Sequence, residues 1–161
     1  MTKAKPGPGY SEAASDPIVA SLADLYAARE AFDEAVGNKL GLIVAERRCV
    51  IALMDGPKAA GALAEASGLT PAAATSMIDR LETRGFVERQ RDVSDRRKVF
   101  VALTKPAAEA VATYYAPLNG ETANLIGGFN ETERDTISRF LASVMVLHEE
   151  QTARLAAEPG K

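Results

Sequence analysis

The sequence predicts a mainly helical protein carrying one small β-hairpin, and three observations lead there. Apolar residues recur at helical spacing behind helix-start signals from about residue 17 to 84 and again from 105 to 157. Two short helices meet at Ser67-Gly68-Leu69-Thr70, the spacing of a helix-turn-helix. Two runs of strand-forming residues, 86–91 and 99–103, flank a polar, charged turn.

Taken in order, residues 1–16 are rich in Pro, Gly, Ser and charge and are expected to form a mobile arm. Asp16 before Pro17 is an N-cap followed by proline at the first helical position. Ile18, Leu22, Leu25, Phe32 and Val36 continue the helical spacing, and Gly37 is the expected stop, within a first segment of 17–40. A second helix spans roughly Leu42 to Met54, broken by Asp55-Gly56-Pro57, and a short Ala-rich helix follows from Lys58 to Ala66. Thr70-Pro71 repeats the cap-plus-proline signal and opens a helix to about Arg84, with Met77, Ile78 and Leu81 buried and Gly85 past its end. Phe86–Arg91 and Val99–Leu103 are the two strands. Thr104 then caps a helix from about Lys105 to Ile126, with a disturbance expected at Pro117. Asn130 or Thr132 caps the last helix, whose apolar stripe is Ile137, Phe140, Leu141, Val144 and Leu147.

Composition bounds the function classes. With 161 residues, 47% hydrophobic and 25% charged, the chain is long enough to bury a core. It has no uncharged apolar run of membrane-spanning length and no secretory signal pattern, so a cytoplasmic location is expected. One cysteine, Cys49, and one histidine, His148, speak against a disulfide and against a zinc module; no metal or cofactor is expected. Net charge is −3, but residues 71–104 hold seven Lys/Arg against five Asp/Glu while the flanks are acidic. The excess lies in Arg80, Arg84, Arg89, Arg91, Arg96, Arg97 and Lys98, a local patch of the kind that attracts phosphate. A solvated charged hairpin would look similar.

The block GLTPAAATSMIDRLETRGFVERQRDVSDRRKVFVALT resembles the MarR (multiple antibiotic resistance regulator) family of winged-helix transcription factors, closely from about residue 46 to 104. Its most specific pieces are Met77–Glu82, Gly85–Arg89, and Asp95-Arg96-Arg97 followed by Leu103-Thr104. The resemblance implies a winged helix-turn-helix DNA-binding domain over 42–104, with a recognition helix at about 71–84 and a wing at about 86–103. It also implies N- and C-terminal dimerisation helices at 17–40 and 105–157.

A recognition helix enters the major groove by its N-terminal end, presenting short polar side chains to base edges. Thr70, Thr75 and Ser76 offer that surface, with Arg80 one turn beyond Ser76; Thr70 has a second reading as a cap alone, and Thr75 as a solvated residue. Ala72, Ala73 and Ala74 stand where family members often carry Ser or Thr, which shifts specificity toward van der Waals contact and DNA shape. By resemblance Arg80 contacts the DNA backbone, Arg84 is a second phosphate candidate, and Asp79 holds a partner within the winged domain; both arginines also read as exposed solubilising charges. The resemblance places Arg97 in the minor groove with Asp95 orienting it, and leaves Arg96 and Lys98 as phosphate partners.

The family further implies a homodimer on a palindromic operator in double-stranded DNA, with recognition helices about 34–36 Å apart. It implies a small phenolic or otherwise aromatic, or anionic, effector acting where dimer helices meet the winged domain. Tyr26, Arg29, Arg47, Tyr114 and Tyr115 are candidates for that pocket, against the alternative that they are core or surface residues. Cys49, mid-helix among Val44, Val50, Ile51 and Leu53, reads as a buried inert thiol rather than a redox sensor. No catalytic constellation is visible. The reading is a DNA-binding regulator, expected to repress; the alternative is a winged-helix protein-interaction module with an incidental basic wing.

Overall fold

The computed structural model describes residues 16–91 and 99–158. The arm expected at 1–16 therefore lies outside the described residues, save Asp16, and so does the turn carrying Asp95, Arg96, Arg97 and Lys98. Helix α1 is Pro17–Leu40, started by the Asp16 carboxylate accepting from Ile18 N–H at 2.7 Å. It ends at Gly41 in the left-handed region, φ 65°, not at Gly37. Gly37 is buried inside the helix because Arg47 crosses it there; a Cβ on Gly37 would stand 2.8 Å from Arg47 Cδ. The glycine marks a close approach, not a stop.

Helix α2, Val44–Ala52, is shorter than expected. Ile43 is extended, and the Glu46 side chain reaches back to accept the Ile43 N–H at 3.2 Å, which fixes the start. A 3-10 turn, Leu53–Asp55, follows. Lys58–Ala59, expected to open a helix, forms strand β1 instead, and helix α3 is Ala60–Ser67. Strand pairing decides this: β1 lies against the far edge of β3 (Val99–Leu103), with Lys58 opposite Val101 and Ala59 opposite Phe100. A long-range partner outweighs the helical preference of alanine.

Helix α4 is Pro71–Thr83, and Gly85 at φ 75° turns the chain into strand β2, Val87–Arg91. The antiparallel register runs from Val87 opposite Leu103 to Arg91 opposite Val99, giving a three-stranded sheet of order β1-β3-β2. Thr104 ties its root to helix α5, Lys105–Gly127. Its hydroxyl donates to the Gly85 carbonyl at 2.6 Å and accepts the Ala107 N–H at 3.3 Å. Pro117 does not interrupt α5. Helix α6, Glu131–Ala157, starts at Asn130, whose side chain and Glu133 form a reciprocal cap at 3.0 and 2.8 Å.

The chain divides between Ala112 and Thr113 into two compact units. The first holds a dense core of Cys49, Leu63, Met77, Ile78, Leu81, Val87, Val101 and Val111, each 2% exposed or less. In the second, α6 buries none of its residues.

Candidate nucleic-acid interface

Helix α4 has two unlike faces. Ala74, Met77, Ile78 and Leu81 are buried, a stripe at spacings of three and four that fixes the helix on the core. Ala72, Ala73, Thr75, Ser76, Asp79, Arg80 and Thr83 are exposed. Thr70 is the N-cap, its hydroxyl accepting the Ala73 N–H at 3.3 Å, and Pro71 occupies the first turn, where a missing N–H costs nothing. Thr75 Oγ1 donates to the Pro71 carbonyl at 3.0 Å and Ser76 Oγ to the Ala72 carbonyl at 3.2 Å. With their hydrogens turned onto the helix, both hydroxyls face outward as acceptors, and Thr75 adds a methyl group. Such a surface suits base amino groups and thymine methyls.

The arginines sort differently from their sequence reading. Arg80, its side chain 54% exposed, lies loosely against Glu46, Nε to Oε1 at 3.5 Å. Arg84 is tightly engaged: its Nη1 donates to Glu46 Oε2 at 3.0 Å, and its Nη2 to the Gly41 carbonyl at 2.8 Å and the Leu40 carbonyl at 3.4 Å. Its guanidinium also lies over the Phe86 ring, 5.0 Å from the centroid. Arg89 on β2 bridges back to α4, donating to Asp79 at 2.5 Å and to Glu82. The hydrogen bond to Asp79 foremost, with the Glu82 charge, raises the Arg89 pKa and holds it charged. Asp79 thus finds its partner in the wing strand. Two cations of the basic patch, Arg84 and Arg89, are neutralised within the fold. Glu46, with 5% of its side chain exposed, is the partner of both Arg80 and Arg84 that reading the sequence missed. Its only local signal is its place three residues after the N-cap, Ile43.

The proposed pocket residues divide between the two units. Arg47 is buried on α2 and donates to Glu30 at 2.5 Å; that bond raises its pKa. Arg29 pairs with Asp33 at 2.9 Å, and Tyr26 is exposed. These three belong to the first unit, whereas half-buried Tyr114 and buried Tyr115 belong to the second. Cys49 is fully buried, and desolvation pushes its thiol up to about 11, with a smaller push from Glu46. Among the described residues no cluster of His, Cys, Asp and Glu fits a metal ion, and no helix is long and apolar enough to cross a membrane.

The MarR family model matches residues 54–99, from the 3-10 turn after α2 to the first residue of β3. The uncharacterized HTH-type transcriptional regulator YcgE of Bacillus subtilis strain 168 is 30% identical over 125 residues, covering 77% of this chain and 81% of that protein. Among solved structures, a mutant of MepR from a multidrug-resistant S. aureus isolate superposes with a TM-score of 0.62 at 12% identity, covering 82% of this chain and 97% of that one. CouR from Rhodococcus jostii RHA1, bound to p-coumaroyl-CoA, gives 0.57 at 24% identity over 83% and 95%. At those identities the structures speak for the fold alone, a winged helix. The relative aligned over most of both lengths carries the lineage, and the chain belongs to the MarR family of non-enzymatic, DNA-binding transcription regulators.

Proposed function

We propose that this regulator works in the cytoplasm as a homodimer on a near-palindromic operator, represses transcription there, and is released by a small aromatic or anionic effector. The observation that carries the reading is the two-faced α4, locked on the core by one stripe and exposing short side chains on the other. Thr75 and Ser76 read base edges, Thr70 serves chiefly as the cap, and Arg80, more exposed than Arg84 at the helix end, takes a phosphate. From the wing, Arg97 enters the minor groove with Asp95 restraining it, and Arg96 and Lys98 take phosphates. The uncovered apolar residues of α6, among them Phe140, Leu141 and Leu147, support association with a second copy. CouR's aromatic thioester ligand supports an aromatic effector here, with Tyr26, Arg29, Arg47, Tyr114 and Tyr115 as its candidate contacts.

The test is selection of duplexes from a random pool, followed by affinity measurements across a salt series. A selected palindrome should bind about a thousandfold or more tighter than scrambled DNA, with affinity falling steeply as salt rises. Arg97→Ala should weaken operator binding without changing self-association. Wild-type protein that selects no sequence and shows no salt-dependent duplex binding would instead favour a winged-helix protein-interaction module.

A further inference from the structure

We infer that Glu46 and Arg84 are positioning residues of the recognition helix, joining the end of α4 to the end of α1 and the start of α2. The inference rests on the reading of α4 as the DNA-reading helix, and it moves Arg84 out of the phosphate-contact class.

Three elements converge on one guanidinium. Leu40 ends the last turn of α1 and Gly41 caps it, where carbonyls lack helical partners and carry the negative end of the helix dipole. Arg84 Nη2 donates to both, at 3.4 and 2.8 Å, while Nη1 reaches Glu46 Oε2 at 3.0 Å. Phe86 lies under the guanidinium. Only a planar fork with several fixed donors meets these partners together; an ammonium group is a point charge.

Glu46 completes the joint. The Oε2 atom that accepts from Arg84 also accepts the Ile43 N–H, so it sets where α2 begins. Its other oxygen faces Arg80 one turn earlier on α4. A carboxylate this buried is stable only while so compensated. It therefore grips α4 at two points, Arg80 and Arg84, on the flank of the helix that bears Ser76 and Thr83. A shift of α4 here would move every base-facing side chain at once, whereas loss of a phosphate contact would weaken all sequences alike.

The experiment measures binding to a selected operator and to a scrambled duplex of the same length, across a salt series. It compares wild type, Arg84→Gln, Arg84→Lys and Glu46→Gln, each below its unfolding midpoint by circular dichroism. The expected result is about a tenfold loss of operator affinity for both Arg84 variants, with scrambled-duplex affinity and salt slope unchanged. Glu46→Gln, which keeps a residue able to cap α2, should lose discrimination similarly and show a steeper slope, because Arg80 and Arg84 gain uncompensated charge. Arg84→Lys binding like wild type would overturn the inference. So would Arg84→Gln weakening both duplexes equally with a slope shallower by about one contact, since Arg84 would then be a phosphate ligand. Wild-type protein without salt-dependent duplex binding would remove the DNA-reading premise itself, a different failure.

Discussion

The two units of this chain treat the same helical pattern in opposite ways. In the first, the stripe of α4 becomes a core in which Leu81 and Met77 are fully buried. In the second, α6 carries an equally regular stripe, yet Ile137 is 37% exposed, Phe140 41% and Leu147 54%. Periodicity tells which face of a helix is apolar; it does not tell whether the cover comes from the same chain. The winged unit supplies its own cover, and α6 leaves its stripe for the second copy proposed above.

Truncation should separate the two regions most sharply. Leu81→Ala, in the closed core, is expected to cost about 2–5 kcal/mol in chemical denaturation at any protein concentration. Leu147→Ala should cost little in dilute protein and progressively more as concentration rises, because its cover is another molecule. Equal, concentration-independent losses at both positions would erase the distinction.

Cys49 offers a smaller effect that probes how closed the first region is. Burial raises its thiol from an ordinary 9.0 to about 11, so the folded state keeps a proton that the unfolded chain gives up. That contribution is fully present below pH 9 and is lost as pH rises through 11. Relative to Cys49→Ala, wild type should lose on the order of 2 kcal/mol across that window. A thiol reagent at pH 8 should modify Cys49 only at the rate of unfolding; immediate modification would show an open core. Smallest is Asn130→Ala, which removes the cap of α6 at about 1 kcal/mol. Hydrogen exchange should quicken in the first turn of α6 while the amides of α4 stay protected. Matching changes in both helices would make them one cooperative unit.

The legible parts of the sequence were those fixed by neighbours a few residues apart. Thr70-Pro71 and Asn130 announced their helices because a cap acts within one turn, and β3 fell at 99–103, where strand-forming residues follow the polar turn. What escaped was settled across distance. Lys58–Ala59 became a strand by pairing with residues more than forty positions on, and Gly37 stayed helical because Arg47 crosses it. Arg84 read as a phosphate contact or a solubilising charge because Glu46, its partner, lies 38 residues earlier. The exposed positions Thr75, Ser76 and Arg80 were legible as a helix face, but not the hydroxyl bonds that turn acceptors outward.

The crossing at Gly37 also constrains how this sequence can drift. A glycine inside a helix costs roughly 1 kcal/mol relative to alanine, so alanine should be a favourable replacement. Here its methyl would stand 2.8 Å from Arg47 Cδ, a mid-chain carbon of a buried side chain tethered to Glu30. Position 47 must therefore shorten before position 37 can gain a side chain, and Glu30, largely exposed, tolerates losing its partner. Lineages descending from this protein are expected to change the two as an ordered pair, with alanine at 37 appearing only on backgrounds that have already lost Arg47.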